Sequence, residues 1–205
     1  MPSESRKVLT PGIRSLVASL FATVLLLGSI SSSAAGRTPV RGLNGVVASS
    51  SEIASGIGID VLRNGGNAVD AAIATAFALA VTWPTAGNIG GGGFLVYHGA
   101  DGTATTFDFR EKAPLAATMD MYLDDDGNVR DNSNHEGILA VGVPGTVAGL
   151  QLAHDRLGSM KWKDLVEPAV RLASDGIPIS WKLHDDFESR KPRFDRYPSS
   201  AKVFS

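Results

Sequence analysis

The stretch Asn88-Ile89-Gly90-Gly91-Gly92-Gly93-Phe94-Leu95 contains four consecutive glycines, and Asp108-Phe109-Arg110-Glu111-Lys112-Ala113-Pro114 follows a short distance along the chain. Because glycine has no Cβ atom, such a run allows a ligand or another backbone segment to approach closely. Arginine binds a carboxylate through two parallel hydrogen bonds, which lysine cannot match. Together the two stretches predict an arginine beside bare backbone, an arrangement suited to a substrate that carries a carboxylate.

Residues 93–110 have the pattern of a β-hairpin. Residues 94–98 are expected to pair with residues 105–110 across the turn Gly99-Ala100-Asp101-Gly102. The pairing would bring the end of the second strand next to the glycine run.

Side-chain alternation predicts which face of this hairpin carries Arg110. Phe107 and Phe109 should face one side, while Asp108 and Arg110 face the other at the end of the strand. A guanidinium there would project beside the glycine run. The alternative interpretation is a structural ion pair of Arg110 with Asp108 or Glu111.

Helices are predicted on both sides of the hairpin. Ser49 has the spacing of a capping box with Glu52, and the first helix should stop at Asn64-Gly65-Gly66. Asn67 should cap a second helix, with Asp70 near its positive end. This second helix is apolar on all sides over residues 71–81, which indicates burial in a core. Further helices are expected over residues 144–158 and 162–175.

Several other functional classes fail on spacing or composition. A dinucleotide fingerprint would need a glycine where Leu95 stands, and a Walker loop needs a Gly-Lys pair, which the chain lacks. The chain has no cysteine, which excludes disulfides, thiolate metal sites and a lipoprotein anchor. The formal net charge of −2 offers no basic patch for nucleic acid. We therefore expect no cofactor and no nucleic-acid partner.

Two acidic clusters could be taken for metal sites. The stretch Asp124-Asp125-Asp126-Gly127 would need an acid at Tyr122 and a glutamate at Ser133 to form an EF-hand loop, so it is interpreted as a solvated turn. The adjacent residues His184-Asp185-Asp186 cannot converge on one ion from a helix surface. We expect no metal site.

The amino terminus has the features of a secretory signal peptide over residues 1–35. Arg6, Lys7 and Arg14 precede an apolar run over residues 16–30, and small residues before Gly36 suit signal cleavage. The apolar run is shorter than the roughly 20 residues of a transmembrane helix, so an uncleaved anchor is the lesser alternative. The protein is therefore expected to be exported, to the periplasm or outside the cell, without a stable membrane anchor.

From about Gly45 onward the chain resembles the γ-glutamyltranspeptidase (glutathione hydrolase) family of N-terminal nucleophile hydrolases. The resemblance rests on several ordered blocks, which are residues 65–72, 90–94, 108–114 and 142–149. Members of this family are precursors that cleave themselves into a large and a small subunit. The resemblance implies an α/β fold, a four-layered αββα sandwich in which both subunits contribute strands to the central sheets. Here it implies a partial sandwich, with helices packed on a mainly antiparallel sheet.

The resemblance also implies the function and the site. Arg110 matches the arginine that holds the α-carboxylate of the γ-glutamyl group, and Glu111 is expected to orient Arg110. Asn88 and the four glycines would shape the adjoining pocket wall, although tight packing explains them equally well. The expected activity is γ-glutamyl transfer or glutathione hydrolysis, in which the glutamyl group of glutathione or a related compound passes to water or to an amino-acid or peptide acceptor.

The family's catalytic residue has no match here, because its nucleophile is the threonine that begins the small subunit. Residues 36–205 are therefore expected to be an incomplete amino-terminal part of the large subunit. This part should be inactive alone and should need the small subunit as a partner. The alternatives are an acylase of the same fold, an exported carboxylate-binding remnant without catalysis, and a decayed reading frame with an unstable product.

Overall fold

Within the described residues, the fold combines helices with one antiparallel hairpin. The computed structural model describes Gly12, Pro39 and residues 41–205, so the predicted signal peptide lies, apart from Gly12, outside the described residues. Residues 42–205 form one unit. In chain order its elements are α1 (Glu52–Arg63), α2 (Ala68–Thr82), β1 (Phe94–His98), β2 (Ala104–Asp108), α3 (Thr146–Leu157), α4 (Trp162–Asp175), α5 (Trp181–Phe194) and α6 (Pro198–Phe204), with short 3-10 turns at Arg130–Asn132 and Ile138–Ala140.

The start of α1 differs from the prediction, and its end agrees. Ser51, not Ser49, caps the helix, because its side chain accepts a hydrogen bond from the Ala54 N–H at 3.3 Å. The Ser49 hydroxyl instead donates to the Ser51 carbonyl at 2.9 Å. At the other end, Gly65 has a φ of +91°, and the Gly66 N–H donates to the Val61 carbonyl at 3.0 Å. A left-handed glycine closes the helix here, as the sequence indicates.

Helix α2 is the centre of the core and lies between α1 and α4. Asn67 caps it, as predicted, and the structure shows in addition a capping box between Asn67 and Asp70. The prediction that α2 is buried on all sides is only partly correct, because Ala72 is exposed and Ala76 and Leu79 are half-buried. Its other side chains form the core together with α1, the hairpin, α3 and α4. The fully or nearly buried members are Val61, Val69, Ala71, Ile73, Ala74, Phe77, Phe107, Leu150, Ala153, Leu165 and Ala169.

The hairpin has the predicted faces and slightly different bounds. Strands β1 and β2 are antiparallel, with Phe94 opposite Asp108 and His98 opposite Ala104. Strand β2 begins one residue earlier and ends two residues earlier than predicted, so Arg110 lies just beyond it. Phe107 is buried, whereas Asp108 and Arg110 are exposed. The predicted class, helices packed on an antiparallel sheet, is confirmed.

Helix α3 begins at Thr146, two residues later than predicted. The N–H groups of Gly145 and Thr146 both donate to the Gly91 carbonyl, at 2.8 and 3.0 Å, so they are tied to the glycine run. Helix α4 has the predicted bounds.

The acidic stretch after the hairpin forms a turn, as predicted. The Asp124 carboxylate accepts from the N–H groups of Asp126 and Asn128, and Gly127 has a φ of +82°. Within the described part of the chain, no helix combines the length and apolarity needed to cross a membrane.

Candidate carboxylate-binding site

The glycine run packs directly against the segment that carries Arg110. A Cβ atom added at Gly92 would lie 2.5 Å from the Phe109 carbonyl oxygen and 2.7 Å from the Glu111 nitrogen. The Phe109 N–H donates to the Gly93 carbonyl at 3.0 Å, which continues the hairpin pairing beyond its named strands. Only a residue without a side chain fits at position 92, because the obstructing atoms belong to backbone and cannot rotate away.

A third segment, which comprises residues 142–149, also packs against the arginine segment. A Cβ atom at Gly145 would collide with the Phe109 carbonyl, and one at Gly149 with the Phe109 ring. Lys112 and Val143 form an isolated antiparallel bridge, with hydrogen bonds of 3.3 and 2.8 Å between their backbones. Residues 109–112 are therefore fixed between two stretches of close-packed backbone.

Asn88 connects these two supporting segments. Its Oδ1 accepts a hydrogen bond from the Gly91 N–H at 2.9 Å and another from the Thr146 hydroxyl at 2.8 Å. Neither Asn88 nor the glycine run lines the cavity in front of Arg110. Asn88 and Gly92 do line a second cavity, of about 430 Å³, which shares Phe109 with the first. The hydrogen bonds of Asn88 support packing, and this second cavity supports a pocket wall, so both explanations stand.

Arg110 faces an open cavity of about 520 Å³. Its side chain is 64% exposed, and its Nε donates to the Glu111 carboxylate at 3.2 Å. The Arg110 backbone N–H donates to the Asp108 carboxylate at 3.0 Å. Among the described residues, the two terminal nitrogens of the guanidinium have no hydrogen-bond partner. The ion pair with Glu111 thus leaves the two-pronged end of Arg110 available to a ligand.

Glu111 is well suited to hold Arg110 as a charged partner. Its pKa lies below the ordinary value of 4.5, first because its own backbone N–H donates to the carboxylate. Partial desolvation raises the pKa. The positive charge of Arg110, the hydrogen bond from Arg110 and a hydrogen bond from the Gly92 N–H lower it. Glu111 is therefore ionised at neutral pH and pairs with the Nε side of the guanidinium.

The cavity has both charged and apolar lining residues. The charged ones belong to residues 108–112, and the apolar ones include Val143, Ala148 and Leu152. A cavity with this lining suits a small ligand with a carboxylate and a short aliphatic chain.

Comparison with known proteins decides the family. The sequence model of the family described as Gamma-glutamyltranspeptidase matches residues 54–205. The chain belongs to the γ-glutamyltranspeptidase family. It is 48% identical over 176 residues to the glutathione hydrolase proenzyme of Pseudomonas sp. (strain A14), an alignment that covers 82% of this chain and 31% of that protein. The chain thus spans about a third of the length of this relative.

Solved structures show the same fold. The crystal structure of Helicobacter pylori γ-glutamyltranspeptidase matches with a TM-score of 0.79 and 48% identity, over 81% of this chain and 48% of that one. A cephalosporin acylase from Bacillus halodurans matches with a TM-score of 0.66 and 30% identity, over 78% of this chain and 30% of that one. These matches confirm the expected fold class of this γ-glutamyltranspeptidase family member.

The described part of this family member contains no group of three or more potential metal ligands. His184 and Asp185 lie on the surface of α5, with their nearest side-chain atoms 3.3 Å apart and both side chains more than half exposed. They form a solvated helical face, as the sequence indicates.

One buried charge of this family member joins segments of the chain that the sequence did not connect. Asp70 is fully buried and accepts hydrogen bonds from the N–H groups of Asn67, Ser159 and Met160 and from the Ser159 hydroxyl at 2.5 Å. Burial opposes ionisation of Asp70, but these hydrogen bonds outweigh it and keep its pKa below the ordinary value of 3.8. The sequence indicated Asp70 only as a residue near a helix start, since its partners lie 89 and 90 positions away.

Proposed function

We propose that this chain is the amino-terminal part of an exported γ-glutamyl transferase or glutathione hydrolase, and that Arg110 binds the α-carboxylate of the γ-glutamyl substrate. The observation that carries the proposal is the guanidinium of Arg110, which faces an open cavity while its terminal nitrogens lack partners among the described residues. Two parallel N–H groups match the two oxygens of a carboxylate in spacing and charge.

In this proposal the chain binds and orients the substrate and does not attack it. Arg110 holds the α-carboxylate, and Glu111 fixes the guanidinium through Nε, which leaves its terminal nitrogens for the substrate. The γ-amide then extends away from Arg110 toward the part of the enzyme that supplies the nucleophile. In the family this nucleophile is a threonine of the small subunit. We assign no catalytic residue to this chain and expect it to be inactive alone.

Export rests on the sequence of residues 1–35, with its basic start, apolar centre and small residues before Gly36. The proposed partners are the small subunit made from the same precursor, and glutathione or another γ-glutamyl compound as substrate.

Two other functions remain as alternatives with the same fold. The likeness to a cephalosporin acylase supports an acylase. The two terminal nitrogens of Arg110, which can bind both oxygens of a carboxylate, favour a glutamyl group. A non-catalytic protein that retains the carboxylate pocket would bind the ligand and never turn it over.

Turnover of a γ-glutamyl anilide tests the proposed division of roles. The purified chain is expected to release no aniline, whereas a precursor that continues through the small subunit, after self-cleavage, is expected to release it. Turnover by the chain alone would refute the assignment of the nucleophile to another part of the enzyme. An inactive but correctly cleaved precursor would refute the enzymatic function.

Calorimetric titration of the chain with L-glutamate separates the enzyme part from a binding remnant. A remnant with a complete pocket should bind with a saturable heat signal. If the remainder of the enzyme contributes to the pocket, as proposed, the processed precursor should bind more tightly than the chain. Equal affinities would favour the remnant.

A further inference from the structure

Phe94 is an aromatic side chain that the described fold leaves in the open. It is 62% exposed at the start of β1, while Phe107 and Phe109 of the same hairpin pack into or against the core. Phe94 lies directly opposite Asp108 in the strand register. Since Arg110 lies two residues beyond Asp108, the ring is on the face that carries the guanidinium.

The ring of Phe94 lies beneath the charge of Arg110. The guanidinium carbon is 6.0 Å from the ring centroid, at the outer limit of the range in which an aromatic face attracts a cation. Arginine is suited to this contact because its planar group is weakly hydrated and stacks on aromatic rings. Attraction of a cation to a ring face uses no hydrogen-bond donor, so the terminal N–H groups of Arg110 stay available for hydrogen bonds.

The guanidinium therefore has two neighbours and a free end. Glu111 accepts a hydrogen bond from Nε, and the guanidinium carbon lies over the Phe94 ring. The terminal nitrogens have no partner among the described residues, and Arg110 lines the cavity. An exposed arginine without such contacts has many rotamers and loses their entropy when it binds a ligand. We propose that Phe94 is a positioning residue, which holds the Arg110 guanidinium in the orientation that receives the substrate carboxylate. This inference rests on the proposed function of Arg110.

Phe94 could instead act only by packing, as an apolar side chain that other parts of the enzyme cover. The two roles differ in what happens when Arg110 is absent. A positioning effect disappears with Arg110, whereas a packing effect remains.

A double-mutant cycle on the processed precursor tests the inference. Phe94→Leu keeps an apolar side chain and removes the ring, and Phe94→Tyr keeps the ring. Each is measured with a γ-glutamyl anilide, with Arg110 intact and in an Arg110→Met background. Val96→Ala is the matched control, because Val96 lies on the same face of β1 and is 77% exposed.

Phe94→Leu is expected to raise KM about two- to five-fold with kcat unchanged, because it weakens ground-state and transition-state binding equally. Phe94→Tyr should restore the wild-type KM, and Val96→Ala should not alter it. In the Arg110→Met background, Phe94→Leu should change kcat/KM by less than about 1.5-fold.

Equal losses from Phe94→Leu in both backgrounds, or a fall in kcat without a rise in KM, would overturn the positioning role. A failed rescue by Phe94→Tyr would do the same. Failure of the proposed function has a different signature, which is an Arg110→Met variant with the kcat/KM of the wild type.

Discussion

Asp70 and Arg110 are both charged residues held by neighbouring backbone. They differ in how many of their side-chain hydrogen-bonding atoms have a partner. Asp70 is fully buried, and its carboxylate receives hydrogen bonds from three N–H groups and one hydroxyl. Arg110 is mostly exposed, and one of its three guanidinium nitrogens has a partner among the described residues. The first arrangement is complete without a ligand, and the second has room for one.

The difference assigns Asp70 a structural role and is consistent with the binding role proposed for Arg110. Around Asp70 every donor comes from the fold itself, so the charge joins the start of α2 to the loop between α3 and α4. Around Arg110 the fold supplies rigid support through the backbone at Gly92 and Gly145, while the end of the side chain faces a cavity. Loss of Asp70 should therefore affect stability, and loss of Arg110 should affect substrate binding.

The largest effect on stability is expected for Asp70→Ala. The substitution leaves the N–H groups of Ser159 and Met160 without their acceptor inside the protein, which should lower the free energy of unfolding by about 3 kcal/mol. Urea denaturation of the chain measures it. Asp60→Ala is the control, because Asp60 pairs with Arg63 on the exposed side of α1 and should contribute less than about 0.5 kcal/mol. Similar losses for both variants would contradict the structural role of Asp70.

Gly92→Ala should have the next largest effect, and it should lower both stability and substrate binding. The added methyl group would press on the backbone of residues 109–111, which should cost about 2 kcal/mol of stability and displace Arg110. In the processed enzyme this displacement should raise KM for the γ-glutamyl anilide. Gly90→Ala is the matched control in the same run, since a Cβ atom there meets nothing within 4 Å. Equal KM values for the two variants would show that the glycine run does not position Arg110.

A smaller effect on stability is expected when the pH is lowered. Because the pKa of Asp70 is lowered in the folded chain, its contribution to stability is complete above the ordinary value of 3.8 and is lost as the pH falls through the folded-state pKa. The difference in unfolding free energy between the wild type and Asp70→Asn should thus shrink on acidification below about pH 5. A difference that stays constant from neutral pH to pH 3 would contradict the lowered pKa.

Local signals in the sequence predicted much of this fold. Gly65 and Gly66 fixed the end of α1, Asn67 fixed the start of α2, and alternation placed Phe107 and Arg110 on opposite faces of the hairpin. Each of these features depends on residues within a few positions of one another. The predicted start of α1 was wrong because Ser49 and Ser51 both have hydroxyls that can cap a helix. Local spacing cannot decide which of the two does so.

The supports of the site could not be predicted, because they join distant segments. The packing of Gly145 and Gly149 on Phe109 and the hydrogen bond of Thr146 with Asn88 connect residues that are far apart in the chain. The glycines within residues 142–149 indicate a close approach of another part of the chain. They do not indicate which segment approaches them. For the hydrogen bonds of Asp70 with Ser159 and Met160, the sequence indicated only that Asp70 lies near the start of a helix.

The binding of the substrate α-carboxylate by Arg110 is best examined by changing the arginine and the carboxylate together. The processed enzyme and its Arg110→Lys variant are compared on a γ-glutamyl anilide and on the 4-aminobutyryl anilide, which is the same molecule without the α-carboxylate. Arg110→Lys should lower kcat/KM about thirty-fold for the first substrate and leave it unchanged for the second. An equal loss on both substrates, or no loss on the first, would contradict the claim.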